Sequence, residues 1–98
     1  MSDSLWKATE RQLAKLLGGK RVPVHSTDGI KCDITCPVWS VECKERKHLP
    51  VLLRDTMAQA KRNCEPNKLA IAIFHEKGKQ HDSDVVAITL SDFLEWYG

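Results

Sequence analysis

Two carboxylates and a lysine lie close together in the chain, and their types and spacing suit metal-assisted chemistry. Asp33 is followed nine residues later by the triplet Glu42-Cys43-Lys44. If the apolar runs around them are strands, Glu42 and Lys44 share one face and Cys43 points to the other. Asp33 and Glu42 then offer the oxygen ligands that Mg²⁺ prefers, with the backbone carbonyl of Cys43 as a third ligand. Lys44 is placed to orient a water molecule or to stabilise developing negative charge.

Glu10 needs a separate account because it projects near the apolar face of a predicted helix. It follows Trp6 by four residues on the helix predicted over 4–17. A carboxylate beside an apolar face needs water or a cation that compensates its charge, or it has a functional role. Two interpretations stay open. Glu10 completes the metal-binding set, or it lies at the edge of the apolar stripe and reaches water or pairs with Lys7 or Arg11.

The composition is that of one soluble globular domain, which we place over residues 1–98. The chain carries 42% hydrophobic and 29% charged side chains, a balance that argues against disorder. No stretch approaches the roughly 20 apolar residues of a membrane span, and no signal peptide is visible after Met1. We therefore expect a cytoplasmic protein that does not enter the membrane.

The four cysteines are expected to be reduced and buried rather than metal-binding. Zinc sites usually contain tightly spaced pairs of ligands, whereas three, six and twenty residues separate these cysteines and there is no second tight pair. Cys32 and Cys43 also fall on the apolar side of their predicted strands. The full set is Cys32, Cys36, Cys43 and Cys64.

Positive charge is unevenly distributed along the chain, although the net charge is only +2. Basic clusters of this kind occur on solvated faces and on nucleic-acid surfaces, and the sequence leaves both interpretations open. We predict contact with nucleic acid for basic residues near the candidate site: Lys20, Arg21, His25, Arg46, Lys47 and His48.

The order of predicted elements indicates a mixed α and β protein. Residues 4–17 read as a helix that ends at Gly18-Gly19, and 30–35 with 38–46 read as an antiparallel hairpin. A second helix over 51–63 precedes two strands, 69–74 and 84–90, and a short C-terminal helix. The nearly continuous apolar run 69–74 is typical of a strand covered on both faces. We therefore expect an α/β (α+β mixed) fold with a central mixed sheet flanked by helices, in the order αβββαββ or αββαββ with the short helix last.

Asp33 and the Glu42-Cys43-Lys44 triplet, in this order of elements, resemble the PD-(D/E)XK nuclease superfamily. The resemblance is closest to its small phage and prophage nucleases of the Holliday-junction-resolvase-like kind, and it covers nearly the whole chain. Glu10 matches the glutamate of the family's first helix, and Gln59 matches a glutamine often found near the site. The turn 18–23 matches the segment that follows that helix.

This resemblance implies a restriction-endonuclease-like core and the cleavage of branched DNA with Mg²⁺ or Mn²⁺. The implied catalytic residues are Glu10, Asp33, Glu42, Lys44 and Gln59, and the implied metal ligands are Glu10, Asp33, Glu42 and the carbonyl of Cys43. The implied setting is the cytoplasm of a bacterium or a phage-infected host cell. The chain departs from the family pattern at Cys32, where proline is usual, and at Cys43, where an aliphatic residue is commoner. The chemistry requires a polar side chain at neither position.

Several alternatives remain open from the residues. Glu42 and Lys44 can belong to a cross-strand ladder on the surface with Arg46. The chain can be a nickase or a replication-repair nuclease of the same superfamily, or a non-catalytic nucleic-acid- or protein-binding domain on this fold. Trp96 and Tyr97 either pack on the domain or lie in a subunit interface. We expect a homodimer, since two-fold pairing supplies two sites for the two strands of a junction.

Overall fold

The chain has a mixed α+β fold with three helices and two small antiparallel sheets. The computed structural model describes residues 3–23 and 29–98. The helices are Asp3–Leu17 (α1), Val51–Arg62 (α2) and Leu90–Tyr97 (α3). The strands are Lys20–Arg21 (β1), Ile34–Thr35 (β2), Ser40–Val41 (β3), Ala72–Phe74 (β4) and Val85–Ala87 (β5). This order matches the first of the two predicted orders, with the short helix last.

The structure divides into two compact units, Met1–Lys47 and His48–Gly98. The first unit contains α1 and the sheet β1-β2-β3, and the second contains α2, β4, β5 and α3. Each unit is described by itself below. The expectation of a single domain over residues 1–98 stays a prediction.

Helix α1 ends where the pair of glycines predicts. Gly18 has a φ of 71°, a left-handed conformation that costs glycine little. The N–H of Gly19 donates to the carbonyl of Ala14 at 2.8 Å, and the N–H of Gly18 donates to the carbonyl of Lys15 at 3.3 Å. These two bonds form the Schellman arrangement that satisfies the last carbonyls of a helix. The chain therefore turns directly from α1 into β1.

The predicted hairpin of the first unit is confirmed, although its strands are shorter than predicted. Both strand pairs are antiparallel, with Arg21 opposite Ile34 and Ile34 opposite Val41. The N–H of Cys36 donates to the carbonyl of Trp39 at 2.9 Å, which closes the turn. Two residues therefore separate the ends of the hairpin, as in the commonest tight hairpins.

The ladder between β2 and β3 is irregular at Asp33. Val41 is the partner of Ile34 in the register, yet its carbonyl also accepts the N–H of Asp33 at 2.9 Å. Two residues of one strand therefore face one residue of the other, which is the relation that defines a β-bulge. Bulges bend a strand and change the direction of a side chain. Asp33 consequently does not follow the simple alternation of the hairpin.

The core of the first unit lies between α1 and one face of its sheet. Ala14, Ile34 and Cys43 are buried, and Ile34 has no exposed surface. Leu13, Cys36 and Val41 pack against this cluster. Because Ile34 and Val41 are opposite one another in the register, they share the face that the helix covers. The prediction that Cys43 lies on the buried side of its segment is confirmed.

The second unit places two helices beside a two-stranded sheet. The helix predicted over 51–63 is Val51–Arg62, and its apolar residues Leu53, Met57 and Ala60 are half-buried. Ala70 and Ala72 are the buried residues near β4. Lys61 of α2 forms an ion pair with Asp92 of α3 at 2.8 Å. Thr89 caps α3, because its hydroxyl accepts the N–H of Asp92.

Two expectations about the sheets are wrong. The described strands form two antiparallel sheets, whereas the sequence predicted one central mixed sheet. The run 69–74 was expected to be covered on both faces, yet Ile71 and Ile73 are 44% and 57% exposed. The physical reason is the pairing: β4 pairs with β5, and Ile73 lies opposite the equally exposed Val86. The small Ala72 faces the interior instead, so the apolar run does not reveal which face is covered.

Among the described helices, none combines the length and the apolar character needed to cross a membrane.

Candidate active site

Asp33 is held at the irregular end of β2 by three hydrogen bonds. Its N–H donates to Val41, and its carbonyl accepts the N–H of Val22 at 2.9 Å. Its Oδ2 accepts the backbone N–H of Cys43 at 2.6 Å. The other carboxylate oxygen makes no hydrogen bond or ion pair with the described part of the chain. Asp33 is therefore fixed in position while one oxygen of its half-buried carboxylate stays available.

Glu42 and Lys44 lie on either side of Cys43, and both are exposed. Cys43 itself is only 6% exposed. This pattern confirms the predicted alternation, in which the charged residues of the triplet face away from the core. The carboxylate and the ammonium group are accordingly open to a ligand from solvent.

The segment that carries this triplet lies beyond the end of β3, so the strand ladder alone does not position it. It is held instead by side-chain contacts. Cys43 packs into the core and its N–H donates to Asp33. Helix α1 adds a further contact to this segment, because the hydroxyl of Thr9 donates a short hydrogen bond to the carboxylate of Glu45. No local pattern predicts this last contact, because it joins residues that are distant in the chain.

The electrostatic surroundings of Cys43 show that negative charge gathers around it. Burial is the largest cause of the raised pKa of its thiol, followed by the charges of Asp33, Glu10 and Glu42. Each of these carboxylates disfavours a thiolate at this position. The three predicted metal-binding carboxylates are therefore all near enough to Cys43 to affect its thiol.

Glu10 is buried and paired with a cation. It is 4% exposed, and its Oε1 lies 2.6 Å from Nε of Arg21. The spacing along the chain favours Lys7 or Arg11 as the partner of Glu10, and Arg21 is among the residues expected to contact nucleic acid. The structure instead places Arg21 on the strand that follows α1, where its side chain is 19% exposed. The ion pair satisfies the charge of Glu10, because a buried carboxylate is stable only with such a partner.

The structure does not gather the predicted carboxylates into a close three-ligand group. Within residues 3–23 and 29–98, the one set of three whose ligand atoms lie within 4.8 Å of one another is His75, His81 and Asp84, in the second unit. Mg²⁺ does not require a closed cage of protein ligands, because it commonly keeps several waters and binds one or two carboxylates. Asp33 and Glu42, with hard oxygen donors, fit that requirement.

The remaining predicted residues are distributed between the two units. Lys20, Arg46 and Lys47 are exposed in the first unit. Gln59 is exposed on α2, and His48 is exposed at the start of the second unit. His25, which is also expected to contact nucleic acid, lies outside the described residues. Asp33 therefore lies beside the segment that carries Cys43 and Lys44, in the first unit, whereas Gln59 lies in the second unit.

Comparison of the chain with protein-family models, with curated proteins and with solved structures finds no match.

Proposed function

We propose that the chain is a metal-dependent endonuclease of the PD-(D/E)XK kind, with a restriction-endonuclease-like core, that hydrolyses phosphodiester bonds in branched DNA. The observation that supports this most is the bond from the N–H of Cys43 to Oδ2 of Asp33. It ties the aspartate of the motif directly to the centre of the Glu42-Cys43-Lys44 triplet. Residues that are separated in the sequence are thereby held close together, as metal-assisted hydrolysis requires.

The donor set suits Mg²⁺ or Mn²⁺ as the cofactor. Asp33 and Glu42 would hold the ion through carboxylate oxygens, and the carbonyl of Cys43 would supply a third oxygen. The ion would supply neutralisation of phosphate charge and a lowered pKa for water. Among the described residues Asp33 retains one oxygen without a partner, and Glu42 is exposed, so both can offer an oxygen to the ion.

Lys44 is the cation of the triplet, and its exposure allows it to reach a bound substrate. Its ammonium group would donate to the attacking water or to a phosphate oxygen as negative charge develops. Glu10 would shape the electrostatic field while it remains paired with Arg21. Gln59 lies on α2 in the second unit, and its role, which the family resemblance implies, stays a prediction.

Exposed basic residues of the first unit would bind the phosphate backbone. Lys20, Arg46 and Lys47 present positive charge to solvent. Phosphate contacts of this kind release counterions, so DNA binding should weaken as salt increases. We further propose a homodimer in the cytoplasm of a bacterium or a phage-infected cell, in which two copies of the site act on the two strands of a junction.

The decisive experiment measures cleavage by the full chain with Mg²⁺ or Mn²⁺. The substrates are a four-way junction, a flap, a nicked duplex and a linear duplex of matched sequence. We expect junction cleavage to be fastest. Preference for the nicked or flap substrate would instead indicate a nickase or a replication-repair nuclease of the same superfamily.

A pair of lysine variants tests the chemical role. Lys44→Ala should reduce the cleavage rate by about 100-fold or more while DNA binding is retained, because one donor to the developing charge is lost. Lys15→Ala is the matched control, since Lys15 is exposed on α1 and has no proposed role. Absence of cleavage of every substrate by folded protein, or equal rates for the two variants, would contradict the proposal.

A second candidate is a non-catalytic nucleic-acid- or protein-binding domain. Two observations favour it: Glu10 is already neutralised by Arg21, and the carboxylates are not gathered into a close three-ligand group. Calorimetric titration with Mn²⁺ separates the candidates. The nuclease requires binding that Glu42→Gln weakens, whereas a non-catalytic domain has no reason to bind the ion through Glu42.

A further inference from the structure

A cluster of two imidazoles and a carboxylate lies in the second unit, in the connection between β4 and β5. His75 directly follows the end of β4, and Asp84 directly precedes β5. Since Phe74 and Val85 are partners in the register, the next residues of the two strands are brought together as well. His81 begins the 3-10 turn His81–Ser83 and reaches the same place from within the connection.

The three side chains converge on one point. Nδ1 of His75 lies 2.7 Å from Oδ1 of Asp84, and Nδ1 of His81 lies 3.1 Å from Oδ2. The two imidazole rings have their centres 4.4 Å apart. A ligand atom from each residue lies within 4.8 Å of those of the other two. Both oxygens of one carboxylate are therefore engaged by separate imidazoles.

We propose that His75, His81 and Asp84 bind a divalent transition metal ion of the zinc class. Neutral imidazole nitrogen and carboxylate oxygen are the donors that such ions take, whereas Mg²⁺ prefers oxygen alone. Metal–ligand bonds of about 2.0–2.2 Å in tetrahedral geometry separate ligand atoms by about 3.4 Å. The ligand atoms of the three residues lie within 4.8 Å of one another, so the side chains would have to draw together by at most about 1.4 Å to reach that separation.

Exposure argues that the cluster is more than an incidental surface contact. His81 has 83% of its side chain exposed, yet its ring is directed at Asp84, which is 13% exposed. An exposed ring that is fixed loses rotamer freedom for one hydrogen bond of modest value. Coordination of an ion would stabilise that orientation of the ring more than the single hydrogen bond does. Because His81 is exposed, an ion bound here would keep coordination positions for water or for a ligand from a partner.

The alternative explanation is purely structural: Asp84 accepts a hydrogen bond from each imidazole and fixes the connection without any ion. The two explanations differ in what happens when metal is added. A structural cluster binds zinc-class ions no better than scattered surface histidines do. A metal site binds one ion per chain, and its affinity depends on all three side chains.

The experiment titrates the full chain with Zn²⁺, and then with Co²⁺ as a spectroscopic probe. We expect one ion per chain, and a cobalt spectrum without the charge-transfer band of a thiolate ligand, because the four cysteines are outside the cluster. His81→Ala should weaken binding by at least about 10-fold, the lower end of the effect of removing even a supporting group around a metal. Asp82→Asn, which removes an exposed carboxylate of the same connection, should leave binding unchanged.

A second readout protects the test against unfolding of a variant. With wild-type protein and substoichiometric Co²⁺, the ring proton signals of His75 and His81 should broaden or shift before those of His48. Equal effects on all histidines, or unchanged affinity in His81→Ala, would overturn the proposal, as would a cobalt–thiolate band. Saturating Mg²⁺ should not compete, so this outcome is independent of the nuclease proposal.

Discussion

The carboxylate of Asp33 accepts the backbone N–H of Cys43 at 2.6 Å, and this single bond crosses from one arm of the hairpin to the segment beyond the other. The aspartate is thus both a candidate metal ligand and a structural tie. Its two oxygens divide these roles, because one is engaged with the backbone and the other makes no bond with the described residues. Substitutions at this position can separate the roles.

We expect Asp33→Asn to keep the fold and to lose Mg²⁺-dependent cleavage of DNA. The amide oxygen of asparagine still accepts the N–H of Cys43, but the negative charge that binds a cation is gone. Asp33→Ala removes the acceptor as well, which should cost a further 1.5–3 kcal/mol, roughly the contribution of a hydrogen bond to a charged group. Urea unfolding compares the stabilities, and Mg²⁺-dependent cleavage compares the activities. Equal stabilities of the two variants would show that the bond contributes nothing.

Removal of Arg21 should strongly destabilise the first unit. Its guanidinium lies 2.6 Å from the carboxylate of Glu10, whose side chain is only 5% exposed. Arg21→Ala leaves that carboxylate buried without a partner, and a loss of about 3–5 kcal/mol is typical of such a change. Denaturant unfolding followed by Trp fluorescence measures the effect.

The control for this prediction is Arg46→Ala, because Arg46 is exposed. It should change stability by no more than about 0.5 kcal/mol. The double variant Glu10→Met with Arg21→Met should recover much of the loss, since it buries no charge. A double variant that is as unstable as Arg21→Ala would show that the cost arises from lost packing.

The two glycines after α1 should respond differently to alanine. A Cβ at Gly19 would collide with the carbonyl of Thr35 and with Sγ of Cys36, whereas a Cβ at Gly18 would meet nothing. Gly19→Ala should therefore cost about 1–3 kcal/mol by overpacking. Gly18→Ala should cost about 1–2 kcal/mol, because its φ of 71° is unfavourable for alanine. Gly18→Asn tolerates that conformation and should recover part of the loss, while Gly19→Asn should not.

The ion pair between Lys61 and Asp92 should give the second unit a pH-dependent stability. A hydrogen bond from Lys61 lowers the pKa of Asp92 below 3.8, and the same bond raises the pKa of Lys61 above 10.5. The contribution of Asp92 is present above its unfolded pKa and is lost as pH falls through the lower folded value. The contribution of Lys61 is present below its unfolded pKa and is lost as pH rises through the higher folded value.

The difference in stability between wild type and Asp92→Asn should consequently be largest near neutral pH and should vanish at both extremes. Thermal unfolding across the pH range measures it. Asp82→Asn is the control, since Asp82 is exposed on the 3-10 turn and its variant should run parallel to wild type. A difference that is constant with pH would show that Asp92 acts through packing or helix capping.

Local sequence signals predicted the helices well. α1 was predicted over 4–17 and is Asp3–Leu17, and α2 was predicted over 51–63 and is Val51–Arg62. Apolar residues at helical spacing, together with Gly18-Gly19 as a stop, lie within the segment itself and need no partner. The cap of α3 shows the limit of this approach. Thr89 and Ser91 both have a hydroxyl that can cap a helix, and it is Thr89 that accepts the N–H of Asp92.

The strands and the surroundings of the candidate site could not be predicted in the same way. Strand pairing depends on two segments at once, so neither the bulge at Asp33 nor the pairing of β4 with β5 is visible in either segment alone. The partner of Glu10 is Arg21, which is eleven residues away and is brought back by the turn after α1. The alternation around Cys43 was predictable because it needs only the direction of successive side chains.

The burial of Cys43 among carboxylates has a consequence for the reactivity of the chain. Alkylating reagents and peroxides attack the thiolate, and the raised pKa of this thiol keeps it protonated. Cys32, Cys36 and Cys64 are less buried, so they should be modified first in the native protein. Cys43 then reacts only when the first unit opens. The rate at which Cys43 is modified therefore measures how often the first unit opens, and this measurement needs neither a label nor a substitution.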